Sequence, residues 1–236
     1  MRQQDQVAVL TFGRPPDNFM DFPSMIELGD HLDHLATADL CTVVLLASRT
    51  DGMFINHAEL SDLAKAGAGR ASAAETQSWS RAVRLLEEIP QPTVAAVDGL
   101  ASGGGNEIAL ACTLRVASPR ALFQQPEVPI GIIPGGGGSV RLPRLVGPAR
   151  AAEAILSGRA VPAREALDVG WVNAMLPADD FTANAVRWAA AIAAQPRPAL
   201  AAAKQSIIAG VRLPFPDAQA LEQRLFRELS TQAKAT

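Results

Sequence analysis

Gln91-Pro92-Thr93-Val94-Ala95-Ala96-Val97-Asp98-Gly99-Leu100-Ala101-Ser102-Gly103-Gly104-Gly105-Asn106-Glu107 joins a short apolar strand to a run of three glycines and the start of a helix. Thr93–Val97 is rich in β-branched residues and follows two helix-breaking prolines, which predicts a strand. From Asn106 the apolar Ile108-Ala109-Leu110-Ala111-Cys112 predicts a buried helix. Glycines between the two let the backbone turn tightly and let a ligand approach the main chain. The first N–H groups of the helix lack intrahelical partners and sit at its positive dipole end, where a developing oxyanion is a natural guest. Glu107 lies one turn in; taken alone it also fits an ordinary first-turn carboxylate favouring the dipole.

Other readings of the glycine run fail. A Gly-x-Gly-x-x-Gly pattern is broken by Ile108, and no Gly-Lys-Ser/Thr follows, so neither dinucleotide nor nucleotide phosphate loops fit. Ser102 is one residue out of register for a Gly-x-Ser-x-Gly elbow.

Downstream, Phe123-Gln124-Gln125-Pro126-Glu127 sets a second glutamate ahead of the apolar Val128-Pro129-Ile130-Gly131-Ile132-Ile133-Pro134. Burial there raises a carboxyl pKa and suits it to proton transfer near neutral pH; a solvent-facing loop glutamate is the competing reading. A second glycine cluster, Pro134-Gly135-Gly136-Gly137-Gly138, precedes another helix. Leu114–Ala117 and Ala121–Phe123 read as short strands, and beyond residue 148 the pattern is helical: about 148–157, 163–168, 179–194, 197–211 and 216–232. Upstream, Val7–Phe12 and Thr42–Ser48 read as strands. Ser24 and Glu27 form a capping-box pattern opening a helix, residues 50–72 read as an irregular loop and a mobile Ala/Gly-rich segment, and Glu75–Ile89 reads as an amphipathic helix. The order is that of an α/β core followed by helices alone, one compact body of 236 residues with a smaller C-terminal helical part.

Composition bounds the function classes. The chain is 48% hydrophobic and 19% charged with a formal net charge of −3, which suits a buried core and supplies no overall positive field for nucleic acid or an anionic membrane. No signal peptide and no membrane span is expected, so a cytoplasmic protein is the default. Cys41 and Cys112, in apolar segments, read as reduced buried thiols. His31 and His34 are three apart on a helix, but without further ligands in pattern they read as a polar face rather than a metal site. Arg141 and Arg144 suit either a phosphate or a helix end, and Trp79, Trp171 and Trp188 read as core or interface anchors.

The stretch from Gln91 to Glu107, Phe123 to Glu127, and Ile133-Pro134-Gly135-Gly136-Gly137-Gly138-Ser139-Val140-Arg141-Leu142-Pro143-Arg144-Leu145-Val146-Gly147 resembles the enoyl-CoA hydratase/isomerase (crotonase) family; Leu156-Ser157-Gly158 to Gly170-Trp171-Val172-Asn173 adds a weaker likeness. The resemblance implies an α/β spiral of ββα turns over about residues 1–178, with a C-terminal helical trimerisation region over 179–236, assembling as a homotrimer or homohexamer. It implies Glu107 and Glu127 as the catalytic pair, twenty residues apart as in the family's hydratases. Gly104 and, in Phe54-Ile55-Asn56-His57-Ala58-Glu59-Leu60, the N–H of Asn56 would form the oxyanion hole. Gly135 would seat the catalytic water. Phe54 and His57 would lie along the substrate, with Ala58, Glu59 and Leu60 beside the CoA adenine.

The implied activity is hydration of a trans-2-enoyl-CoA, with coenzyme A as part of the substrate, no resident cofactor and no metal. Double-bond isomerisation, thioester hydrolysis and non-catalytic acyl-CoA binding are the alternatives. Two departures stand out. Asn56-His57 replaces the family's small Ala-Gly pair. Many members also continue past the helix ending near Ser230, where this sequence stops at Thr236, so Arg14, Lys65 or a neighbouring subunit would hold the CoA phosphates.

Overall fold

A computed structural model describes residues 2–4, 6–38 and 40–233. Two sheets run side by side through the core. The larger has the order β1-β2-β3-β5-β7-β10, formed by β1 (Arg2–Gln4), β2 (Val7–Phe12), β3 (Val43–Ser48), β5 (Thr93–Val97), β7 (Leu114–Ala117) and β10 (Ala174–Met175). Only β1 is antiparallel to its neighbour. The smaller has the order β4-β6-β8-β9, from β4 (Met53–Ile55), β6 (Leu100–Ser102), β8 (Leu122–Gln124) and β9 (Val161–Pro162). The chain climbs in repeated turns: β3 then β4, β5 then β6, and β7 then β8 each place one strand in each sheet before a helix.

The helices follow from local signals. α1 (Phe22–Thr37) is capped by Asp21, whose carboxylate accepts the Ser24 N–H at 3.0 Å. Ser24 is therefore inside the helix and not its cap, as its sequence pattern had suggested; Asp21 together with Pro23 in the first turn starts the helix earlier. α3 (Ala73–Glu88) opens on a true capping box of Ser72 and Glu75. α4 (Gly104–Ala111) begins inside the glycine run, two residues before the expected start. The stretch 50–72, expected to be irregular, holds β4 and the exposed helix α2 (Leu60–Gly67). Three residues are too few for a visible alternation, and Ala and Gly dilute the helix pattern.

The remaining helices are α5 (Gly138–Val146), α6 (Pro148–Ser157), α7 (Ala163–Asp168), α8 (Phe181–Ala193), α9 (Arg197–Gly210) and α10 (Phe215–Ala233). β5 is buried along its whole length because both faces are covered. One face meets Phe181, Ala185 and Val186 of α8, and the other meets the core under α1, α3 and α4. Both cysteines are free and buried. No helix among the described residues is long and apolar enough to cross a membrane.

α9 is tied to this core through Lys204, a buried lysine whose Nζ donates to the carbonyls of Leu86 (3.2 Å), Ile89 (2.8 Å) and Gln91 (2.9 Å). Leu86 and Ile89 lie at the end of α3, where carbonyls lack an intrahelical donor, and Gln91 follows in the loop, so the ammonium acts as a C-cap supplied from a distant helix. Lys204→Met keeps the length of the side chain but strands the buried carbonyls of Ile89 and Gln91, while Leu86 O keeps its bond from Thr93 Oγ1 at 2.9 Å. Thermal and urea unfolding should show a loss of about 3 kcal/mol; an unchanged midpoint would mean that water replaces the ammonium without cost.

Candidate active site

Gly103 turns the chain from β6 into α4 at φ +49, a left-handed conformation that side chains disfavour. A Cβ there would lie 3.1 Å from Glu127 Oε1 and 3.2 Å from His57 Cβ, so the bare glycine keeps open the space between those two residues. Gly104 is equally crowded: a Cβ would come within 2.5 Å of the Trp79 ring and 3.2 Å of the Ala58 nitrogen. The Gly104 N–H, first in its helix, has no intrahelical acceptor.

Asn56 does not supply the second donor. Its N–H is bonded to the Asn18 carbonyl at 3.1 Å and is turned away from any ligand. Glu59 N–H donates to Met20 O at 2.9 Å, and Met20 N–H to His57 O at 3.0 Å. In a parallel bridge of this kind, between Met20 and Ala58, the N–H of Ala58 itself points to the opposite side, which here is the side of Gly104.

Phe54 is also corrected. Its side chain is fully buried in the core and has no surface to offer a substrate. Glu59 caps α2 through the Ser61 N–H at 3.5 Å, while Leu60 is exposed at the start of that helix. His57 is held by two contacts, Nδ1 2.7 Å from the Ala58 carbonyl oxygen and its ring stacked on Phe19 at 4.4 Å. Arg14 and Lys65 are each paired with a carboxylate, Asp21 at 3.3 Å and Glu75 at 2.6 Å.

The two glutamates are both buried and differently dressed. Glu107 Oε1 accepts the N–H groups of Gly136 (2.8 Å) and Gly138 (2.7 Å), at the positive end of α5. Burial raises its pKa, while those N–H groups and the nearby Arg141 guanidinium pull against the rise. Arg141 also fixes the loop, bonding Gly136 O at 2.8 Å and Glu87 at 2.7 Å. Glu127 has less support, and burial lifts its pKa to about 7, with the charge of Glu107 adding to the rise. With the Gln125 amide oriented to satisfy its neighbours, its nitrogen reaches both Glu127 oxygens at 3.1 Å and its oxygen accepts from Asn106 at 3.1 Å.

Three contributors were missed in the sequence. Gln125 had a signal: residues i and i+2 of an extended segment share a face, so Gln125 accompanies Glu127. Trp79, read as an anchor, packs beside Gly104. Asn18 gave no signal, yet its buried amide bonds Phe54 O (2.7 Å) and Ser48 Oγ (3.2 Å), and it accepts from Thr50 Oγ1 (2.9 Å).

A buried carboxylate pair beside free backbone N–H groups suits acid–base work on a carbonyl compound. The family model for enoyl-CoA hydratase/isomerase matches residues 2–236. The chain belongs to the enoyl-CoA hydratase/isomerase family. It is 32% identical to the short-chain-enoyl-CoA hydratase of Clostridium acetobutylicum, covering 97% of this chain and 87% of that protein. A solved enoyl-CoA hydratase from Bacillus anthracis superposes with a TM-score of 0.85 at 30% identity, over 94% of this chain and 86% of that one. Plant multifunctional β-oxidation proteins also match: the one from Cucumis sativus is 35% identical over 82% of this chain, which spans only 27% of that protein's length. The α/β crotonase fold of this family member thus matches the architecture described above, and the chain is an enzyme of that family.

Proposed function

We propose that this member of the family hydrates a trans-2-enoyl-CoA thioester. The observation that carries the reading is the unequal pair of buried glutamates, Glu107 held by the Gly136 and Gly138 N–H groups and Glu127 set against Gly103. The N–H groups of Gly104 and Ala58 polarise the thioester carbonyl and hold the enolate-like transition state, worth about 3–4 kcal/mol per donor. Glu107, whose negative charge two N–H groups and Arg141 support, acts as the base. It takes a proton from a water that the Gly135 N–H helps to seat, and the water oxygen bonds to Cβ. Glu127, with a pKa near 7, is the acid that delivers a proton to Cα. The two carboxyls titrate as a coupled pair. His57 and the Ala58–Leu60 segment line the thioester and CoA side. Exposed apolar residues of α10, Phe215 and Phe226, support assembly as a trimer or hexamer.

Product analysis by mass spectrometry after incubation with a trans-2-enoyl-CoA tests the reaction. A mass gain of one water is the expected result. An unchanged mass with a shifted double bond, or release of free CoA, would replace hydration by isomerisation or hydrolysis.

A further inference from the structure

A cavity of about 810 Å³ is bounded by Trp79, which packs beside Gly104, and by the Gly135–Gly137 loop, whose Gly136 N–H holds Glu107. Its walls carry more positive charge than the reaction uses. Arg84, Arg115, Arg141, Arg144 and Arg212 line it, against one carboxylate, Glu87. That single carboxylate is shared by Arg141 at 2.7 Å and Arg212 at 2.6 Å. Arg84 pairs with Glu88 at 2.8 Å.

The other two arginines have no acidic partner among the described residues. Buried Arg115 donates to the carbonyls of Trp171 (2.8 Å), Cys112 (2.7 Å) and Ala109 (3.2 Å). Arg144, exposed on α5, donates only to Val140 O in its own helix at 2.6 Å. Five guanidinium groups thus meet two carboxylates, in a chain whose net charge is −3. Between them the walls are apolar, from Val83, Leu110, Val140, Ile207 and Val211.

We propose that this cavity receives an acyl chain that is apolar along its length and ends in a carboxylate, so that the preferred substrate is an ω-carboxylated enoyl-CoA. The inference rests on the hydratase reading above and names the acyl group of that same site. A carboxylate matches the planar fork of arginine, and of the two guanidinium groups with no competing acid Arg144 is the exposed one, Arg115 being buried on three carbonyls. The excess positive charge also draws an anionic chain end into a pocket that a purely aliphatic tail would leave unneutralised.

The test compares two trans-2-enoyl-CoA esters of equal chain length, one ending in a methyl group and one in a carboxylate. Calorimetric binding of the two corresponding saturated esters runs alongside. The carboxylated ester is expected to be favoured at least tenfold in kcat/KM and in Kd. Arg144→Gln should cut that preference about tenfold and Arg144→Glu should cut it further, with the preference weakening as salt is added.

Equal kcat/KM for the two esters, with both reactions abolished by Glu127→Gln, overturns the proposal and leaves the hydratase reading standing. If neither ester is hydrated, that reading falls and binding decides: tighter binding of the carboxylated saturated ester supports the pocket assignment, and equal binding overturns it. An Arg144→Glu protein that changes its oligomeric state at an unchanged ester ratio also overturns it, and assigns the charge to a contact between subunits.

Discussion

Ala58→Pro lowers kcat/KM for enoyl-CoA hydration by about 10²–10³-fold, the effect of deleting one oxyanion donor. Proline removes the N–H and nothing else that the bridge to Met20 uses, since that bridge runs through His57 O and Glu59 N–H. The residue before a proline favours extended backbone, which suits a segment already bridged as a strand. Ala58→Gly keeps the donor and should stay within a few fold of the parent. A melting curve alongside the kinetics separates lost chemistry from lost folding. If Ala58→Pro is folded and fully active, the partner of Gly104 lies elsewhere in the chain.

Glu127→Gln moves activity and stability in opposite directions. Removing the general acid should lower kcat by about 10²–10⁴-fold. Stability follows from burial, which raises the carboxyl to about 7 in the folded protein. A carboxyl raised on folding contributes stability that is fully present below its ordinary pKa and is lost as pH rises through the folded value. At pH 8 the parent therefore holds an ionised carboxylate whose burial outweighs its contact with the Gln125 amide, at a cost of up to about 3 kcal/mol, and glutamine removes that cost. Urea unfolding should show the variant more stable at pH 8 and little changed near pH 4. The same pKa predicts that hydration by the parent declines as pH rises through about 7, where Glu127 loses the proton it donates. A variant that is less stable at pH 8 would show that the Gln125 amide and solvent stabilise the ionised Glu127 by more than burial costs it.

Much of the site was legible because its chemistry is written locally. A glycine run between a strand and an apolar helix can do few other things with its backbone, and Glu107 follows within one turn. Glu127 was visible through its apolar neighbourhood.

The Ala58 N–H, proposed as the second oxyanion donor, was not legible, for a physical reason. A backbone N–H leaves no side-chain signature, and its direction depends on pairing with residues 18–20, far away in sequence. In a regular strand, the N–H groups that face a given neighbour recur every second residue. Here Asn56 and Glu59, three apart, both donate to that segment, so the chain kinks between them and hands the free donor to Ala58. The fold was clearest where strands are long and buried, as in β3 and β5. It was obscure where three residues form a strand, as in β4, and where an aspartate three residues upstream outcompeted Ser24 as a cap.

The most direct measurement follows the conjugated-thioester absorbance of trans-2-enoyl-CoA with the parent protein, Glu107→Gln and Glu127→Gln. The expected result is turnover by the parent and a loss of at least 10²-fold in each variant, with folding intact. Binding of the thioester without turnover by the parent, or parent-like rates in either variant, would contradict paired-carboxylate hydration.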